Sequence, residues 1–187
     1  MTMLSAEFLC ELPLTYRPST FRVKWADTAW EIVQARALRR DVFCTEQGLF
    51  EDNDIDSIDS HAQTLVALSY LGAMPDQVVG TVRIHTTEAG VWWGSRLAVE
   101  RDYRHHGGLG ATLIKLAVSS AHARGSKIFL AHVQSQNTPF FERLQWTALQ
   151  HLDLHGHPHD LMQADLQHYP PCYDPIQGLA VPRKKMA

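Results

Sequence analysis

Apolar residues recur along this chain with two different periods, and the changes of period mark out its elements. Phe21-Arg22-Val23-Lys24-Trp25 alternates apolar and polar residues like a half-buried strand. Asp27 or Thr28 can cap the next element, a helix whose apolar stripe reads Trp30, Val33, Ala37, Leu38, Val42 and Phe43. Of Arg36, Arg39 and Arg40 on that helix, two are expected on a solvated face. Residues 61–71 and 77–86 are strand-like runs, and the turn residues between them, Gly72 to Asp76, predict a hairpin. Glu88-Ala89-Gly90 then turns into a third strand, Val91 to Val99. Leu109, Leu113, Leu116, Ala117 and Ser120 share one helical face, and Gly125 is a natural stop. Lys127 to Val133 is a near-continuous apolar run, as expected of a strand covered on both faces. Thr138-Pro139 opens a short helix, and two last strands are expected over Thr147 to Leu154 and His159 to Leu166.

Composition narrows the class without choosing a function. The 187 residues suit one domain with a core of its own. We expect an arm over residues 1–20, the domain over 21–166 and a tail over 167–187, which has no periodic pattern and wraps or dangles. A hydrophobic share of 45% with 20% charged residues is neither disordered nor membrane-like. The net charge of -3 gives no reason to expect nucleic acid. No apolar stretch reaches spanning length, so no membrane partner is expected. Cys10, Cys44 and Cys172 lie far apart with no C-x-x-C pair, which suits free thiols in a reducing cytoplasm.

The stretch from Ser95 to Leu113 organises the rest. It reads as a strand end, a polar turn, a basic glycine-rich loop and the first turns of a helix. A glycine loop opening a helix collects free backbone N–H groups at the positive end of the macrodipole, which makes an anion site. Arg104, His105 and His106 add charge beside it. Upstream, residues 46–59 hold six acids in fourteen positions, without the glycine and terminal glutamate of a calcium-binding EF-hand loop. That loop reads equally as a solvated connection or as an acidic rim for a cationic substrate. Asp56 and Asp59, three apart, can share one turn near Arg83 and Arg96. One carboxylate would then pair with arginine while the other meets an ammonium. His151, His155, His157 and His159 cross a Gly-Pro turn with no cysteine or H-x3-H helix beside them, so no metal is expected there.

Val99-x4-Arg104-x2-Gly107, followed by Leu109-Gly110, resembles motif A of the GNAT acyltransferases, "V-x4-[QR]-x-x-G-x-[GA]". Counting from Val99 puts Arg104 and Gly107 in register; counting back from Gly108 and Gly110 puts His105 at the Gln/Arg position. Asn137-x3-Phe141-x2-Leu144-x-Trp146 is similar to the family's second mark, with Gln145 in place of its usual glycine. Arg39-x3-Phe43, Asp54-x-Asp56-x-x-Asp59, Gly80-Thr81-Val82-Arg83 and Ser95-Arg96-Leu97 look like acyl-homoserine-lactone synthases, although Trp93 stands where those carry glutamate. Val42-Phe43-x-x-Glu46-Gln47-Gly48, Asp59-x-x-Ala62 and Gly156-His157-Pro158-His159-x-x-Met162 look like ElaA-like acetyltransferases.

The resemblance implies an α/β (α+β) GNAT fold, a mixed and mostly antiparallel sheet of about six to seven strands flanked by helices. It implies acetyl-CoA or another acyl-CoA as co-substrate, no metal, and the amine of a small molecule or peptide as acceptor. A cytoplasmic enzyme, monomeric or homodimeric, fits that class. Leu97, Ala98, Val99, Arg104, His105, Gly107, Gly108, Leu109, Gly110, Ala111, Asn137 and Phe141 would hold the coenzyme. Phe141 takes the position that is often a tyrosine acid, and phenylalanine cannot donate a proton. Glu46, Asp56, Asp59 and His85 are the candidate bases, and Arg83 and Arg96 the candidate substrate contacts. The rivals are transfer from acyl-carrier protein and a non-catalytic acyl-CoA sensor. Replacing Gly108 by Val is expected to weaken acyl-CoA binding at least several-fold. A lost hydrogen bond to a charged group is worth roughly 1.5–3 kcal/mol, and calorimetry on the folded variant reads the change.

Overall fold

The computed structural model describes residues 20–104, 108–154 and 156–182. His105, His106, Gly107 and His155 lie outside them, as do residues 1–19, with Cys10, and 183–187. The elements run in the order β1 (Thr20–Trp25), α1 (Ala29–Arg40), β2 (Gln63–Leu71), β3 (Met74–Glu88), β4 (Val91–Val99), α2 (Leu109–His122), β5 (Ile128–Gln134), α3 (Thr138–Glu142), β6 (Trp146–Leu154), β7 (His157–Ala164) and β8 (Leu179–Pro182). They build one eight-stranded sheet in the order β6-β7-β5-β4-β3-β2-β1-β8. Every neighbouring pair is antiparallel except β4 with β5.

Alternate residues of the central strands divide the core into two layers. Leu65 and Ala67 of β2, Val82 and Ile84 of β3 and Phe129 of β5 pack with Leu113, Leu116 and Ala117 of α2. Val66 and Leu68 face the other way and meet Ala35 and Leu38 of α1, with Val42 and Phe43 beyond it. The helices therefore sit on opposite faces, as the period of two along β2 requires. Thr28 caps α1 in a reciprocal box with Glu31. After Arg40 the helix continues as a π-helical turn, Asp41–Glu46.

Three expectations need correction. Trp30 and Val33 are 41% and 64% exposed, and Ala37 is exposed as well. The buried face of α1 runs instead through Glu31, Ala35, Leu38 and Arg39, so two of its inward positions are charged. Arg36 and Arg40 are exposed, in line with two of the three arginines lying on a solvated face. β5 is covered on one face only: Phe129, Ala131 and Val133 are buried, whereas Ile128 and His132 are exposed. The sheet also has an eighth strand, which the tail supplies. β8 pairs with β1 from Thr20↔Pro182 to Val23↔Leu179. Backbone bonds from Cys172 N–H to the Ser119 carbonyl (2.9 Å) and from Trp25 N–H to the Pro175 carbonyl (2.8 Å) lay the intervening segment across α2 and β1.

Gly178 lets that segment turn into β8. Its φ is +65°, and a Cβ there would stand 2.0 Å from the Val23 carbonyl oxygen and 2.8 Å from the Lys24 Cα. Gly178→Ala is therefore expected to lift β8 off β1. Overpacking of this kind costs typically about 1–3 kcal/mol, and the loss is read as a lower denaturation midpoint. An unchanged midpoint would mean that the strand contributes nothing to stability.

Candidate active site

The strongest break in the sheet lies between β4 and β5. Parallel pairing holds Val91 to Gly94 against Ile128 to Ala131 and then stops. From Ser95 onward β4 is paired on its β3 side alone, so alternate backbone groups face the gap. The β3–β4 register also shifts between Thr81 and Arg83, and Arg96 takes φ 56° within that bulge. A non-glycine residue in the left-handed region is uncommon, and a bulge bends its strand and re-aims the side chains beyond it. Past the gap, Gly108 takes φ 72° and opens α2, whose first turn has no side-chain cap among the described residues.

Split strand and helix start share a cavity of about 690 Å³. Leu97, Ala98, Val99, Arg104, Gly108, Leu109, Gly110, Ala111, Asn137 and Phe141 all line it. His105 and Gly107 lie outside the described residues. Arg104 is held on both sides: its Nε donates to the Val99 carbonyl at 2.9 Å, and its two terminal nitrogens reach the Glu46 carboxylate at 2.5 and 2.6 Å. Those hydrogen bonds, ahead of the cost of burial, hold the Glu46 carboxyl below the usual carboxylate range. Phe141 is buried edge-on against Trp146, with ring centroids 5.1 Å apart.

The acidic loop folds inward onto arginines. Arg39 donates from Nε to Asp54 at 2.8 Å and from its terminal nitrogens to Asp59 at 2.6 and 3.0 Å. Arg83 grips Asp56 at 2.6 and 3.0 Å, approaches Asp59 at 2.8 Å and donates to Ser95 Oγ at 3.0 Å. Arg96 closes the cluster on Asp54 (2.9 Å) and Asp56 (3.2 Å), with its guanidinium 4.8 Å from the Phe50 ring centroid. Asp56 and Asp59 do lie on one short turn, where Asp56 caps the 3₁₀ helix Ser57–Ser60 and Asp59 accepts from the Asp56 N–H. Both are nevertheless paired with arginine. Burial alone would raise the Asp59 carboxyl; the Arg39 hydrogen bonds, the Asp56 N–H and the charges of Arg39 and Arg83 outweigh it and leave the group far below its ordinary value. Asp56 is lowered in the same way, by Arg83 and Arg96 against its burial.

His85 differs from the carboxylates. It sits on β3 one alternation beyond Arg83, and its buried Nδ1 has no hydrogen-bond partner. Burial first, then the Arg83 charge and the His61 ring whose centroid is 6.0 Å away, push its pKa below the ordinary 6.5. The imidazole therefore stays neutral at neutral pH, with one of its two ring nitrogens unprotonated. It lines a second cavity of about 560 Å³, together with Asp56, Arg83, Trp93, Arg96 and His132. Gln47, Leu49, Leu97, Gln134, Asn137 and Phe141 border both cavities, so the two adjoin. Gln134 donates to Gln47 across that boundary at 3.1 Å.

Several of these residues were not anticipated as site residues. Arg39 could have been found, because Ala35, Leu38, Arg39 and Val42 lie on one helical face and place a charge on it. Gln134 and His132 come together only through the sheet and carry no local signal, whereas Gln47 and Trp93 show in the sequence only as positions of the two motif matches. His151 and His159 are engaged nearby, by Asp160 at 2.9 Å and the His157 carbonyl at 2.8 Å. Among the described residues no group of three His, Cys, Asp or Glu side chains is placed to hold a metal ion.

A model of the acetyltransferase (GNAT) family matches residues 24–145, and the chain belongs to that family. It is accordingly an acyl-CoA-dependent N-acyltransferase of the GNAT type. The fold is shared with a Lactobacillus plantarum protein described as an N-acetyltransferase, at 24% identity and a TM-score of 0.69 over 77% of this chain and 97% of that one. It is shared too with Escherichia coli ElaA, at 18% identity and 0.65 over 78% and 98%. BjaI, a CoA-dependent acyl-homoserine lactone synthase solved with SAM and isopentyl-CoA, matches at 17% identity and 0.63 over 80% and 86%. No curated protein matches the chain in sequence.

The arginine–aspartate cluster has a pH signature. A depressed carboxylate contributes stability that is complete above its ordinary value of 3.8 and lost as the pH falls below it. Asp59→Asn removes one charge from between Arg39 and Arg83 and leaves both underpaired. Breaking a buried pair on one side costs about 3–5 kcal/mol. The variant is expected to melt well below the parent at pH 7, with the gap narrowing as the pH drops under 4. Equal melting at pH 7 would show that Asp59 carries no such load.

Proposed function

We propose that this enzyme transfers an acyl group from acyl-CoA to a primary amine of a small molecule or peptide, by direct attack within a ternary complex. The observation that carries this reading is the parted β4–β5 edge, which lies where two cavities meet. The coenzyme fits the first of these. The uncapped first turn of α2 offers N–H groups to the pyrophosphate, and Gly108 and Gly110 leave the backbone approachable. The open edge of β4 from Leu97 to Val99 offers strand-like hydrogen bonds to the pantetheine amides and an N–H to polarise the thioester carbonyl. Arg104, already aligned by Glu46 and Val99, lies beside that path. The acceptor enters from the second cavity.

A primary amine is mostly protonated at neutral pH and must lose a proton before it can attack. Glu46, Asp56 and Asp59 are held by arginine, and their lowered pKa values make them poor proton acceptors. His85 is neutral and unpartnered, so it takes the proton, directly or through one water. As the C–N bond forms and the C–S bond breaks, the pair of electrons leaves on sulfur, and the second proton of the attacking nitrogen passes to solvent water, from which the sulfur can take it up. No tyrosine or cysteine lines either cavity among the described residues. The thiolate therefore departs as such or takes its proton from water. Arg83 and Arg96 act on the acceptor indirectly, by fixing the Asp56 turn that walls its cavity. Free thiols at Cys44 and Cys172 suit a reducing cytoplasm.

Release of coenzyme A thiol from acetyl-CoA, measured over amino acids, polyamines and peptide N-termini, tests the activity. Tight coenzyme A binding with no turnover over that panel would favour a sensor instead. His85→Gln tests the base. General-base removal costs typically about 10²–10⁴ in rate, and the loss should fall on kcat while acyl-CoA affinity stays. A base with its pKa below 6.5 gives an acidic limb in kcat/KM below that pH, and the variant should lack it. A limb that persists unchanged in His85→Gln would assign the proton to another group.

A further inference from the structure

The second cavity is short of free negative charge. Histidines aside, Asp56, Arg83 and Arg96 are the charged residues that line it among the described ones. Asp56 has no oxygen to spare. Its Oδ1 accepts from Arg83 at 2.6 Å and from the Ile58 N–H at 3.0 Å. Its Oδ2 accepts from Arg83 at 3.0 Å and from Arg96 at 3.2 Å. Asp59 and Asp54, which complete the balance for those arginines, do not line the cavity. His85 and His132 are both held below the ordinary 6.5, chiefly by burial, and add no charge at neutral pH. An ammonium entering here finds two guanidinium groups and no carboxylate open to it.

What the cavity does offer is aromatic surface. Trp93 on β4 stands opposite His85 on β3, and its ring centroid lies 5.1 Å from that of His132 on β5. Phe50 enters from the acidic loop and Leu154 from the end of β6. Trp93, Phe50 and Leu154 are only half-buried and His132 is exposed, so each has surface left for a ligand to cover. The Phe50 ring already has its cation, the Arg96 guanidinium at 4.8 Å. Resting on the acyltransferase reading above, we infer that the acceptor is an aromatic monoamine, a primary amine on a short arm from an aromatic ring with no second cationic group. The ring lies against Trp93 and His132, and the nitrogen points to His85. Uncompensated charge is costly among rings and arginines, so the surroundings that exclude a second ammonium also favour the neutral amine that attacks.

Coenzyme A thiol release from acetyl-CoA by the intact enzyme, with butylamine, diaminobutane and phenethylamine as acceptors, separates ring from charge. Covering a phenyl ring is worth about tenfold to a hundredfold, so kcat/KM for phenethylamine should exceed that for butylamine by such a factor. Diaminobutane differs from butylamine by one terminal ammonium and should fall at least about tenfold below it. Trp93→Ala should cut the advantage of the ring to under about threefold, and Trp93→Phe should keep most of it. Should Trp93→Ala fail to fold, the three amines on the unaltered enzyme still decide. A diamine as good as butylamine, a ring that brings no gain, or a full gain kept by folded Trp93→Ala would overturn the aromatic monoamine and leave the acyltransferase reading standing. No thiol release with any of the three amines would overturn both.

Discussion

Three guanidinium groups meet three carboxylates where α1, the acidic loop, β3 and β4 converge, and most of the site depends on that meeting. Burying charge is costly unless every partner is present, and here each arginine faces two aspartates. The cluster ties together stretches that are far apart in sequence: Arg39 reaches 15 and 20 residues ahead, and Arg83 reaches 27 back. It holds the loop inward as one wall of the second cavity. It also holds Arg96, whose left-handed backbone conformation belongs to the bulge at the start of the split. Charge pairing on one face of the sheet therefore accompanies the opening in its middle. Stability and site geometry share the same residues.

The elements that were legible in the sequence are those whose burial keeps a simple period. α2 is read correctly because it lies flat on the sheet, and the whole Leu109–Ser120 stripe is buried. α1 misleads because a charge network, and not oil alone, fills its inner face. Arg39 stands where an apolar residue would, and the large Trp30 and Val33 are left outside. β5 misleads for a related reason: an apolar run predicts cover on both faces, yet beyond the split one face borders a cavity. β8 is a three-residue apolar run between Gly178 and Pro182. Only its pairing with β1, more than 150 positions earlier, makes it a strand.

The two halves of the site differ in the same way. The first cavity draws chiefly on a strand end running into a helix start, so many of its residues could be named from neighbours in the chain. The second cavity draws on β3, β4, β5, β7 and the loop after α1. Its residues share a cavity without sharing a pattern. The spacing of Asp56 and Asp59 did announce one turn close to Arg83 and Arg96. It could not announce Arg39, which occupies Asp59 and Asp54 and so removes the free carboxylate that an acidic rim would have supplied. Likewise nothing local marks His85 as a buried titratable side chain whose Nδ1 has no hydrogen-bond partner.

That cancellation of charge bears on how an acceptor arrives. A cleft lined by one sign of charge draws oppositely charged ligands in from a distance and speeds encounter roughly tenfold to a thousandfold, an effect that salt erodes. At this rim the arginines and aspartates neutralise one another within a few ångströms, and Glu46 and Arg104 do the same at the first cavity. The field they leave fades over a distance shorter than the ordinary screening length. Neither the cluster nor that pair therefore steers a charged ligand toward the cavities from a distance. What these residues contribute to selection is made at contact, through shape and desolvation.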